Sequence, residues 1–175
     1  YRWKNLFKDG VWSVKWLENI KRMAGEKLLK KKLKSERNPA VHNFEDARSI
    51  GILYREKGES FYILVKQYVK YLQTEHGIRD IMAFAYVDDK KVLPLYQVHK
   101  LKYDYFTKAN LDWRMEPHGD EVENFLARDF DILIDLEKEA CLPLRFVLAK
   151  SNASFKVGYY AKANEPFYDV MMATK

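Results

Sequence analysis

The chain has one cysteine, Cys141, in 175 residues. No internal disulfide can form, so nothing demands an oxidising compartment and a reducing cytoplasm fits best. No apolar run reaches the length of about 18 residues that a membrane-spanning helix needs. Glycine is sparse where phosphate chemistry would want it. After the first apolar strand, "ILYREKGES" holds only Gly58, whereas a dinucleotide fingerprint needs several glycines at fixed spacing for its tight turn and for close approach of the pyrophosphate. A P-loop and a Gly-x-Ser-x-Gly nucleophile elbow are also missing. The histidines, His42, His76, His99 and His118, stand apart, none in a pattern that would ligate a metal. Cys141 has no base near it in sequence. These absences argue for a non-enzymatic protein with neither cofactor nor metal. Tyr1 rather than Met heads the chain, so upstream residues are expected to have been removed or left out; a signal peptide among them finds little support in a composition without disulfides.

What is present is core material and unevenly placed charge. With 47% hydrophobic and 15% aromatic residues the chain can bury a single core, and 175 residues is the size of one domain. The net charge of +6 is not spread evenly: residues 1–38 carry 12 Lys or Arg against 4 Asp or Glu, and residues 39–175 carry 19 against 21. The N-terminal segment is thus +8 and the remainder −2, the asymmetry of a charged interaction arm. The expected organisation is a basic amphipathic helical arm over 1–38 and an α/β domain over 39–175.

From Val11 to about Glu36 the period is helical, with Gly25 as an interruption. Trp16, Leu17, Ile20, Met23, Ala24 and Leu28 share one arc, so the first half is expected to lie against an apolar surface and the lysine-rich second half to project. After Pro39 short apolar runs alternate with helical stretches: strands at 49–54, 81–87, 102–106, 130–136, 154–160 and 167–173, and helices from Ser60 as N-cap, from an Asp120/Glu123 capping box, and from Leu142 with Pro143 in its first turn. Strands joined through helices predict right-handed crossovers and a three-layer, mainly parallel sheet of five to six strands, Rossmann-like or flavodoxin-like.

The combination "EDARSIGILY", "FAYVDDKKVLP", "KYDYFTKANLDW", "DFDILIDL", "LPLRFVLAKSNASFKVGYY" and "YDVMM" resembles a domain-of-unknown-function family of small Bacteroidota proteins, in which a Lys-rich N-terminal helix precedes the same strand order. The likeness runs from Trp16 onward and implies a lineage and a fold. A local similarity also joins "DFDILIDL" and "LRFVLAKSNASFKVG" to the N-terminal Rossmann-like half of the heptosyltransferase type of glycosyltransferase. Those enzymes use a second such domain for the nucleotide sugar, so this similarity implies shared fold geometry.

Two places draw functional attention. Ligands of open parallel sheets bind beyond the carboxyl ends of the strands, where Arg55, Asp88 and Asp135 are expected; Asp135 leads because it interrupts an apolar strand at its exit, although capping the next turn is the commoner role of such an Asp. The other place is the lysine run, in which Lys27, Lys30, Lys31, Lys32, Lys34 and Arg37 would contact phosphates without reading sequence. The expected partner is a polyanion, RNA or the ribosome first. An anionic membrane surface, reached through Trp and Lys, and a protein partner are the alternatives, as is self-association through the Trp-bearing helix. Tyr and Phe interleaved with Lys in "KYDYF" and "FYILVKQYVKY" could stack bases, but core packing explains them better.

Overall fold

The computed structural model describes residues 10–33, with side chains from Lys15, together with 39–90 and 102–173. Helix α1 (Gly10–Lys32) is followed by β1 (Ser49–Arg55), α2 (Glu59–Glu75), β2 (Asp80–Val87), β3 (Tyr103–Thr107), α3 (Asp120–Leu126), β4 (Ile132–Asp135), α4 (Leu142–Lys150), β5 (Phe155–Tyr159) and β6 (Val170–Met172). The strands make one six-stranded sheet in the order β3-β2-β1-β4-β5-β6, every pair parallel. This is the expected α/β, Rossmann-like architecture, and its order is that of the dinucleotide-binding folds rather than of flavodoxin.

The central strand explains the near-continuous apolar runs. Ile52 of β1 lies between Ala83 of β2 and Ile134 of β4, and both faces of β1 are covered. Ile50, Ile52 and Tyr54 pack with Tyr62, Val65, Val69 and Leu72 of α2 on one face. Leu53 turns to the other, where Phe125 of α3 and Leu144, Phe146 and Val147 of α4 fill a second core. Successive strands step one way from β1 and the other way from β4, so right-handed crossovers put α2 on the first face and α3 and α4 on the second.

Several local expectations are corrected. Helix α2 is capped by Gly58 at φ 98°, not by Ser60, and Glu56 Oε1 accepts the Gly58 N–H at 2.7 Å. Gly119 at φ 110° takes the N-cap of α3, so Asp120 and Glu123 lie inside that helix and form no capping box. Pro143 does stand in the first turn of α4. The larger correction concerns α1, whose lysine-rich half is the one that docks. Leu29 is buried, Leu28 and Leu33 pack on the same core, and the helix lies against α4. At Gly25 a Cβ would overlap the Arg114 carbonyl oxygen and come within 2.9 Å of Leu142. The glycine read as an interruption is therefore what lets the helix approach the body. Trp16, Leu17, Ile20 and Met23 are exposed instead.

Candidate functional site

The chain leaves β1 toward one edge of the sheet and β4 toward the other, which makes the β1/β4 boundary the switch point where the strand ends open. Arg55 ends β1 and Asp135 ends β4, one register step beyond the Ile52–Ile134 pair, so the structure brings these two expected residues to the same end of two neighbouring strands. Asp135 is buried. Its Oδ1 accepts the Glu137 N–H at 2.9 Å and its Oδ2 the Tyr168 hydroxyl at 2.7 Å. It thus does cap the turn after β4, and it also anchors the approach to β6. Tyr168 can sit there because its ring packs on Gly158, where a Cβ would overlap it.

Burial pushes the Asp135 carboxyl up to about 6, against the pull of the Glu137 amide and the Tyr168 hydroxyl. The neighbouring Glu137 side chain is 1% exposed and sits between two cations: Lys57 Nζ is 2.9 Å from Oε1, and Arg55 Nε is 3.3 Å from Oε2. The Arg55 contact is an ion pair without hydrogen-bond alignment. Arg55 also reaches Glu139 at 3.2 Å. Burial raises the nearby Cys141 thiol to about 12, with Glu137 and Asp135 adding to the rise. It therefore stays protonated at neutral pH and is a poor nucleophile. Asp88 does not join this group. It stands exposed at the end of β2, accepts the Tyr86 hydroxyl at 3.0 Å and pairs with Lys108 at 3.0 Å. Tyr168, Lys57 and Arg145, which donates to Asn164, are members that the strand-end pattern alone did not single out. Tyr168 arrives from the far end of the chain, and no spacing signals that.

The basic face is built differently. Lys32 Nζ lies 2.9 Å from Glu116 Oε1, which Lys150 also approaches at 3.1 Å. Burial would raise the Glu116 carboxyl, but hydrogen bonds from Lys32 and Lys150 outweigh it and hold the group below the usual range. Lys32 is thus a tether of α1 to the body. Lys27, Lys30 and Lys31 are exposed. At about 100° per residue they lie on the side of the helix away from buried Leu29, and Trp16, Ile20 and Met23 continue the same outward face toward the N-terminus. Lys34 and Arg37 lie outside the described residues, as does His99. Among the described residues no group of three or more His, Cys, Asp or Glu is placed to hold a metal ion, and no helix is long and apolar enough to cross a membrane.

Residues 21–175 match the model of a family of unknown function, DUF6913. The chain belongs to this family. No curated protein and no solved structure matches it. The DUF6913 match begins at Lys21, inside α1, so it takes in the docked half of that helix, its exposed lysines and the whole sheet. The family's span therefore coincides with the part of α1 that packs on the body, and Trp16, Leu17 and Ile20 precede it.

Proposed function

We propose that this DUF6913 chain is a non-enzymatic binding protein that meets a polyanion, structured RNA such as the ribosome, through the outward face of α1. The observation that carries this reading is the mounting of the lysines. Gly25, Leu29 and the Lys32–Glu116 pair fix one side of the helix to the body, and Lys27, Lys30 and Lys31 stand exposed on the other. A fixed row of ammonium groups loses less freedom on meeting phosphates than a loose tail would, and each phosphate neutralised releases counterions. With residues 39–175 at −2, the positive excess of the chain belongs to residues 1–38, which supports the helix as the attracting element. The strand-end alternative draws less support, because Arg55, Asp88 and Asp135 are already engaged by partners of their own. A cytoplasmic setting and a Bacteroidota lineage belong to the same reading, and the heptosyltransferase likeness enters it only as shared fold geometry.

The test is RNA binding as a function of salt. The triple change Lys27→Ala, Lys30→Ala, Lys31→Ala should lower affinity and reduce the log–log salt slope by about 2 to 3, at roughly 0.7–0.9 per phosphate contact. Lys66→Ala with Lys70→Ala, exposed lysines on α2, should change neither. An unchanged slope in the triple variant would end the proposal, and flotation on anionic but not neutral liposomes without RNA binding would transfer the face to membranes.

A further inference from the structure

Between the end of β3 and the start of α3 the chain makes a small hairpin with a tryptophan at its tip. The His118 N–H donates to the Asn110 carbonyl at 2.9 Å, Leu111 bridges Pro117, and the Asp112 N–H donates to the Glu116 carbonyl at 3.0 Å. One carboxylate holds the tip from inside. Asp112 Oδ1 accepts the N–H groups of Arg114 and Glu116 at 2.7 and 2.9 Å, and its Oδ2 accepts Arg114 Nε at 3.1 Å. Met115 stands at φ 64°, the one positive φ outside glycine among the described residues, a conformation that a side chain makes costly. Trp113, at this fixed tip, is 60% exposed, and the Arg114 guanidinium carbon lies over its ring, 5.6 Å from the centroid.

The hairpin is fastened to the helix that carries the lysines. The Arg114 carbonyl oxygen fills the space beside Gly25, and Glu116 pairs with Lys32 at 2.9 Å and with Lys150 at 3.1 Å. Trp113 is therefore one residue from the backbone that touches α1, and Lys27, Lys30 and Lys31 lie between the two points of attachment, Gly25 and Lys32. The attachment is itself positive, since two ammonium groups share one carboxylate. Stacking sites for unpaired bases combine these parts: cations hold the phosphate backbone, and an aromatic ring takes a base of any identity by its π-face. A base inside a duplex is already stacked and offers no such face. Trp16 is exposed too, but it stands in the stretch 15–23 where every residue of α1 is exposed, away from the fastened turns.

We propose that Trp113 is a stacking platform for an unpaired nucleobase, with Arg114 on the other side of the ring, so that the RNA met by α1 is held at a single-stranded stretch or a looped-out base. This rests on the reading of α1 as a polyanion-binding helix and narrows its partner. The lysines neutralise phosphates, and the ring supplies the preference for unpaired RNA. Because the hairpin already fixes the ring, little freedom is lost when a base meets it.

The test compares the binding of a single-stranded oligoadenylate and of a blunt RNA duplex with the same number of phosphates to the full chain. Trp113→Ala should weaken oligoadenylate binding by about 5- to 150-fold, the range for one lost stacked base, and leave duplex binding and the log–log salt slope as they are. Trp113→Tyr keeps a π-face and should retain most of the affinity, whereas Trp113→Leu, apolar without one, should fall with the alanine. The position is exposed, so all three variants should keep the thermal midpoint of the native chain. Full-strength oligoadenylate binding by Trp113→Ala or Trp113→Leu overturns the platform, and with a slope still reduced by the lysine triple change it leaves the reading of α1 intact. An equal loss on duplex and single strand overturns it as well, because the ring then acts as a general contact. A native chain that binds neither RNA ends both readings and gives the exposed ring to a protein partner.

Discussion

A carboxyl group as deeply buried as that of Asp135 keeps its proton to about pH 6, because loss of water disfavours the anion more than the Glu137 amide and the Tyr168 hydroxyl favour it. A folded-state value raised above the ordinary 3.8 means that the native chain binds the proton more tightly than the unfolded chain. Stability from this group is then full below about pH 4 and declines as pH climbs through about 6, by something on the order of 2–3 kcal/mol. Asp112, Glu116 and Asp131 are displaced the other way; burial raises each, but the N–H and ammonium groups aimed at them prevail. Their contribution is present above the unfolded carboxylate range and disappears as pH falls. The slopes oppose one another, so the informative quantity is a difference. Urea midpoints for Asp135→Asn, which can still accept the Glu137 N–H, should gain on the native protein between pH 4 and pH 7. A constant gap across that range would mean that Asp135 stays ionised throughout.

Glycine at position 25 shows how an element can be placed by a missing side chain. In an exposed helix, Gly→Ala stabilises by about 1 kcal/mol. At Gly25 the added methyl must enter the space of the Arg114 carbonyl oxygen and the Leu142 side chain, and backbone cannot yield as a flexible side chain does. Gly25→Ala should therefore reverse the usual sign, lowering the thermal midpoint and speeding hydrogen exchange through Gly25–Leu33; a stabilised variant would show that α1 is not held at that point. The same spot marks where the sequence was legible and where it was not. Apolar runs such as Ile50–Tyr54 and Ile81–Val87 announced buried strands, since only a sheet covered on both faces needs unbroken apolar residues. In α1 the broad arc of Trp16, Ile20 and Met23 outweighs the narrow stripe of Leu28, Leu29 and Leu33, and periodicity reports only that a face is apolar, not what meets it. A contact made by a glycine and a lysine tether leaves no hydropathy signal. At the strand ends, Arg55 and Asp135 were legible from their position on β1 and β4. Their partner Tyr168 was not, because it is brought in by the pairing of β6 with β5.

The whole molecule joins a body of slightly acidic balance to a helix that is basic outside and leucine-bearing inside, which moves the effective domain boundary into that helix. Cutting at residue 39 would remove Leu28, Leu29 and Leu33 together and open Leu142, which packs beside Gly25, to water. Full burial of even one leucine is worth about 1.5–3 kcal/mol, so the loss of this cluster is a large part of the roughly 5–15 kcal/mol that holds an ordinary domain. A fragment of residues 39–175 should unfold at a much lower midpoint, or bind a dye specific for exposed apolar surface before it unfolds. A fragment of residues 21–175, the span of the family match, keeps Gly25, the leucines and the Lys32–Glu116 pair and should unfold cooperatively near the midpoint of the full chain. It should also retain the Lys27, Lys30 and Lys31 face for RNA. Equal stability of the two fragments would show that α1 rests on the domain without supporting it.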